Sequence, residues 1–153
     1  MQASNEPLRK LLLGKIHCAT VTHADVAYEG SISLPTELMQ AAGFVASEAV
    51  WVWNVTNGQR FETYIIEGAS GSGVISVNGA AAHLVSPGDK VIVAAFVHLP
   101  ESCIAAHRPK IVFVDESNRI KSLRAEVPGP EVSAFKVPAQ PLALARGDDM
   151  LRG

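Results

Sequence analysis

Cysteine is scarce in this 153-residue chain: Cys18 and Cys103 are the two present, and neither sits in a Cys-x-x-Cys pair. That excludes a disulfide framework and the common zinc or redox spacings. Charge of one sign is also lacking. Thirteen Lys and Arg stand against fifteen Asp and Glu, a net charge of −2, so no general field holds the protein on nucleic-acid phosphates or anionic lipid. Long apolar runs are missing near the start, where Leu11 to Leu13 is broken by Gly14 and Lys15, far short of a signal peptide or spanning helix. A cytoplasmic location with neither a membrane nor a nucleic-acid partner is the expectation. His17, His23, His83 and Asp25 form no helical His-x-x-x-His or comparable cluster, so no metal site is expected. Gly68-Ala69-Ser70-Gly71-Ser72 lacks the final Gly of a nucleophile elbow, which weighs against a serine hydrolase.

What is present reads as one folded domain. Hydrophobic residues at 48% against 18% charged exclude overall disorder, and a chain of this size buries about two-thirds of its unfolded surface. Residues 1–9 are polar, with periodic apolar sequence from Leu11, and suit a flexible arm. Lys15 to Val26 interleaves apolar and polar residues as a strand or two. Pro35 followed by Thr36 to Ala42 and stopped by Gly43 predicts a short helix. Val50–Val55 and Phe61–Ile66, with Asn57-Gly58 between them, predict a hairpin. Val74–Val77, the continuous run Val91–Val97 and Lys110–Val114 add strands, the second of them expected to be buried on both faces. Glu101 to His107 suits one helical turn or two. Strands outnumber helices, which predicts a mainly β barrel or sandwich with short helices spanning 10–126. The Pro-containing segment 127–153 reads as a disordered tail.

Three stretches together resemble the aspartate 1-decarboxylase family. They are Gly14-Lys15-Ile16-His17 leading to Thr22-His23-Ala24-Asp25-Val26-Ala27-Tyr28-Glu29-Gly30-Ser31, then Trp53-Asn54-Val55-Thr56-Asn57-Gly58-Gln59-Arg60-Phe61-Glu62-Thr63-Tyr64, then Ile75-Ser76-Val77-Asn78-Gly79-Ala80-Ala81-Ala82-His83. The resemblance implies a double-psi β-barrel, assembled as a homotetramer with active sites between neighbouring subunits. It also implies a self-processing, pyruvoyl-dependent lyase that converts L-aspartate to β-alanine and carbon dioxide for pantothenate and coenzyme A biosynthesis. Whether a maturation factor assists is left open. Another reading is a non-catalytic β-barrel module that binds an acidic metabolite, which predicts an uncut chain.

The chemistry fits the residues. Decarboxylating an amino acid leaves a carbanion that needs an electron sink, and the sequence shows no recognisable pyridoxal phosphate site. At Gly30-Ser31 the serine hydroxyl can attack the glycine carbonyl through a five-membered ring, and elimination from the resulting ester cuts the chain. The downstream fragment, 31–153, then carries a pyruvoyl group that forms a Schiff base with substrate. Gly30 is expected to admit strained backbone angles. The resemblance assigns proton return to Tyr64, and substrate contacts to Arg60, Lys15, Thr63, Asn78, Gly79, Ala80 and Ala81. It also gives the Thr63 position a part in polarising the scissile carbonyl. Arg60 offers a planar fork for a carboxylate and Lys15 a second positive charge. Thr63 and Tyr64 alternate on a strand and should face opposite sides. Asn78-Gly79-Ala80-Ala81 would be a small-residue loop open to a ligand, His17 would orient carboxylates near the site, and His23 and Asp25 would brace the turn before the cleavage point.

Overall fold

Nine strands, two short helices and a 3-10 turn make up residues 5–129, the part of the chain that this computed structural model describes. In chain order they are β1 (Leu8–Thr20), β2 (His23–Asp25), β3 (Ser31–Pro35), α1 (Thr36–Ala42), β4 (Ala49–Asn54), β5 (Arg60–Gly68), β6 (Ser76–Asn78), the 3-10 turn Gly79–Leu84, β7 (Lys90–Pro100), α2 (Glu101–Ile104), β8 (Lys110–Val114) and β9 (Ile120–Leu123). They hydrogen-bond in the order β2-β6-β3-β5-β4-β7-β1-β8-β9. The expected mainly β class with short helices is what the chain adopts.

Three pairings, β1 with β8, β2 with β6 and β3 with β5, are parallel, and the rest are antiparallel. Parallel neighbours need crossed connections rather than consecutive hairpins. Such crossing fits the double-psi barrel that the resemblance implies better than an up-and-down barrel. β5 joins the two halves: residues 60–64 pair with β4, and residues 65–68 pair with β3. Ile16, Val52 and Val93 from one half and Ile32, Leu34 and Val77 from the other therefore close on a single core in which each is fully buried. Burying side chains of this size contributes roughly 1.5–3 kcal/mol each.

The helix α1 forms where expected, with Gly43 taking φ +75° to end it. It packs so closely on β1 that a Cβ at Gly14 would lie 2.2 Å from the Ala42 carbonyl oxygen. The hairpin β4–β5 also forms, but Asn57-Gly58 is not a two-residue turn. The connection runs through 55–59, closed by Gly58 N–H donating to the Asn54 carbonyl at 2.8 Å, and Gly58 alone of the pair takes positive φ. The Asn54 side chain accepts from the N–H groups of Thr56 and Asn57 at 2.9 and 3.3 Å, and the Asn57 side chain from that of Gln59 at 2.8 Å.

Other expectations need correction. β1 opens at Leu8, so Leu8 and Arg9 are not loose arm: they pair with Pro100 and Leu99, and Arg9 bonds Glu101 at 2.8 Å. β7 is buried at Val91, Val93, Ala94 and Ala95, but Ile92, Phe96 and Val97 are only half-buried, so its outer face is not fully covered. Val74 and Ile75 precede β6 rather than belong to it. Residues 1–4 of the arm and 130–153 of the expected tail lie outside the described residues.

Candidate active site

Ser31 opens β3 straight after the exposed segment Asp25–Gly30, and its side chain is fully buried. The antiparallel register of β3 with β6 sets Ser31 opposite Asn78 and Ser33 opposite Ser76. These four polar side chains fall on one face because both pairs are spaced by two along a strand. Asn78 Nδ2 donates to Ser31 Oγ at 3.0 Å and more weakly to Ser33 Oγ at 3.4 Å, while Ser76 Oγ donates to Asn78 Oδ1 at 2.8 Å. The Ser31 hydroxyl in turn points to the Glu29 carbonyl, at 3.4 Å. The Ser31 hydroxyl thus accepts from Asn78 and directs its own proton at Glu29. Ser76 and Ser33 escaped the sequence reading, although their i, i+2 spacing from Asn78 and Ser31 was visible there.

The strain expected at Gly30 belongs instead to Gly79. Gly30 does not take positive φ, and a Cβ built on it meets open space. Gly79 takes φ +69°, and a Cβ there would sit 2.6 Å from Gly30 Cα and 2.9 Å from Gly30 N. Its missing side chain lets the Gly30 segment lie directly against it. Gly79, Ala80 and Ala81 form the start of the 3-10 turn rather than an open loop, with Gly79 buried, Ala81 packed against the core and Ala80 exposed. Asp25 braces the turn as expected, accepting from Ala27 N–H at 2.9 Å, and His23 Nδ1 lies 2.7 Å from Thr22 Oγ1.

Along β5 the expected alternation holds. Phe61, Thr63 and Ile65 share the core side, and Arg60, Glu62 and Tyr64 the outer side. Ile32 pairs with Ile65, so in this parallel register Ser31 and Tyr64 occupy neighbouring positions of adjacent strands. Tyr64 is 42% exposed and so open to a substrate. Arg60, four residues back on the same face, is about 13 Å away along the strand. It stacks on Trp53 at 4.9 Å and lines a separate pocket of about 390 Å³ with Lys10, Trp51 and Phe96.

Lys15 lies elsewhere again. A row of partners, Glu62, Trp51, Ala94 and Lys15, crosses from β5 to β1, which puts Lys15 about three strand spacings, roughly 14 Å, from β5. It pairs with Glu126 and lines a cavity of about 630 Å³ with His17, Phe113 and Arg124, the last stacked on Phe113 at 3.9 Å. His17 Nδ1 is buried with no partner, and burial, followed by the nearby Lys15 charge, holds the His17 pKa below the ordinary imidazole range. Neither Arg124 nor Glu126 stood out in the sequence. One chain thus gathers Ser31, Asn78, Gly79 and Tyr64, and leaves Arg60 and Lys15 in two other places.

A sequence profile described as aspartate decarboxylase matches residues 8–121. The chain belongs to the aspartate decarboxylase family. An aspartate 1-decarboxylase of Legionella pneumophila strain Lens is 58% identical over 118 residues, covering 77% of this chain and 89% of that one. Another from Myxococcus xanthus is 52% identical over 124 residues, 80% and 95% of the two chains, and one from Rhodopirellula baltica is 51% identical over 126 residues, 82% and 81%. Among solved structures, the rationally designed protein mkDPBB_sym_86 is similar over 50% of this chain and 90% of its own, with a TM-score of 0.40 and 17% identity. The family match runs from the first residue of β1 into β9, so it spans every residue of the Ser31 cluster and both outlying cations.

Proposed function

We propose that this member of the aspartate decarboxylase family cuts itself between Gly30 and Ser31 and, so matured, converts L-aspartate to β-alanine and carbon dioxide for pantothenate biosynthesis. The observation that carries the reading is the fully buried Ser31 hydroxyl, held by Asn78 at 3.0 Å and preceded by a glycine that Gly79 packs against directly. An ordinary turn serine sits in water and has no such support. Ser31 Oγ adds to the Gly30 carbonyl carbon, and the Gly30–Ser31 C–N bond breaks to give an ester with a free amine on residue 31. Loss of the Ser31 α proton and of the ester oxygen leaves a Gly30 carboxylate and a dehydroalanine. Water replaces its nitrogen, which departs as ammonia. Thr63, one residue before Tyr64 on β5, polarises the scissile carbonyl during this rearrangement.

Once made, the keto group at residue 31 supplies the electron sink for the charge left when aspartate loses its α-carboxylate. Tyr64, neighbour to residue 31 by register and open on its outer side, returns a proton to carbon. The Asn78 amide and the backbone of Gly79, Ala80 and Ala81 orient the substrate at the reacting end. Arg60 and Lys15 hold its carboxylates. The Arg60 backbone lies about 13 Å along β5 from Tyr64 and its guanidinium is turned onto Trp53 of β4, the strand on the far side of β5 from β3, so the carboxylate clamp comes from a neighbouring copy. That supports the expected homotetramer with sites between subunits. Among the described residues no helix is long and apolar enough to cross a membrane. The expected cytoplasmic location goes with an activity that draws on free aspartate.

The test is incubation of the purified chain, with denaturing mass spectrometry for fragments 1–30 and 31–153 alongside β-alanine release from aspartate. Both should appear together. An intact chain with an unchanged Ser31 and no β-alanine would reject the proposal.

A further inference from the structure

The Asn78 amide is 3% exposed and has to satisfy an acceptor and a donor end in a site from which water is largely excluded. Its Nδ2 serves Ser31 and Ser33, and its Oδ1 takes the Ser76 hydroxyl at 2.8 Å, the shortest bond of the group. Ser76 sits two residues before Asn78 on the same face of β6, so its hydroxyl braces the amide from behind, on the side away from the cleavage point. The terminal torsion of an asparagine is broad and roughly two-fold, so packing alone selects its rotation only weakly. Without Ser76, Oδ1 would be a buried acceptor lacking its donor. The hydroxyls of Ser31 and Ser33 are then the nearest replacements, and an amide turned to accept from Ser31 would draw the Ser31 proton toward itself. The Oγ–H would leave the Glu29 carbonyl, and Oγ would lose the fixed approach to the Gly30 carbonyl carbon.

We infer that Ser76 is a positioning residue for self-processing: its hydroxyl holds the Asn78 amide against Ser31 and thereby sets the attack geometry. The inference rests on the proposed cleavage at Gly30–Ser31, adds a residue to it, and assigns Ser76 no contact with the reacting atoms. Thr and Val have nearly the same shape and both suit a strand, so they separate the hydroxyl from the packing.

Unprocessed chains carrying Ser76→Val and Ser76→Thr are purified beside the parent, and the rate of appearance of fragment 31–153 is followed by denaturing mass spectrometry. Thermal unfolding of each uncut chain controls for folding. Ser76→Val should cleave about tenfold more slowly, and Ser76→Thr should stay within about twofold of the parent. Cleavage of Ser76→Val at the parental rate would overturn the inference, as would Ser76→Thr being as slow as Ser76→Val. If Ser76→Val does not fold, Ser76→Ala takes its place with the same two outcomes. A parent that never cuts would instead defeat the processing reading itself, which keeps the two failures distinguishable.

Discussion

A Cβ on Gly79 would meet Gly30 Cα at 2.6 Å, in a residue that already holds φ +69°, whereas a Cβ on Gly30 meets nothing within 4 Å. Gly79→Ala is therefore expected to lower unfolding free energy by about 1–3 kcal/mol and to slow cleavage at least about tenfold, because the scissile segment must move. Gly30→Ala should leave stability within about 0.5 kcal/mol of the parent. Denaturant unfolding of uncut chains measures both, and equal effects of the two substitutions would contradict the assignment of the close approach to Gly79. His17 gives a pH signature. Its pKa is lowered by burial first, then by Lys15 and Arg124, with Glu126 opposing. The unfolded imidazole thus binds protons more readily than the folded one. Stability is fully present above the ordinary value of about 6.5 and is lost as pH falls through the lowered folded value. The thermal midpoint should drop further between about pH 7.5 and pH 5 in the parent than in His17→Phe, and identical drops would show that His17 carries none of it.

The contact of α1 with β1 and β8 depends on one absent side chain. Gly14→Ala would push a Cβ to 2.2 Å from the Ala42 carbonyl oxygen and 2.9 Å from that of Lys110, both backbone atoms that cannot swing aside. A loss of about 3 kcal/mol or more follows, or roughly 10 °C in the unfolding midpoint, and a midpoint within about 2 °C of the parent would show that the helix can shift freely. α1 itself was legible in the sequence because Pro35 and Gly43 mark its ends by local backbone chemistry. The β4–β5 hairpin was legible from its aromatic and β-branched runs. Its loop is longer than a tight Asn-Gly turn because Asn57 does not take positive φ and the side chains of Asn54 and Asn57 bond a five-residue connection. β9 was missed for a different reason. It is a four-residue edge strand, largely exposed, with no alternation to read. The entry of Leu8 and Arg9 into β1 was hidden too, since it is fixed by β7 and Glu101 about ninety residues away.

At the scale of the molecule, the Ser31 cluster, the Arg60 pocket and the Lys15 cavity have no lining residue in common. Sites completed by neighbouring copies should therefore be recoverable from two dead chains. Ser31→Ala and Arg60→Ala, each inactive alone, are expected to regain activity when co-expressed, up to about a quarter of the parental level for random assembly. A mixture that stays inactive while sedimenting as a tetramer would show that each chain supplies its own Arg60. Sedimentation as a monomer would remove the shared site altogether.

By itself the amino-acid sequence determined the family and the chemical kind of Ser31, Tyr64, Asn78, Arg60 and Lys15, because those rest on residue types in a fixed order and on local spacing along strands. The tertiary structure decided which of them meet. Only the antiparallel register of β3 with β6 sets Asn78 and Ser76 behind Ser31, and only the parallel register of β3 with β5 brings up Tyr64 while leaving Arg60 far down the same strand. Register is a long-range property, set when distant strands pack on one core, and a one-residue slip would send each of these side chains to the opposite face.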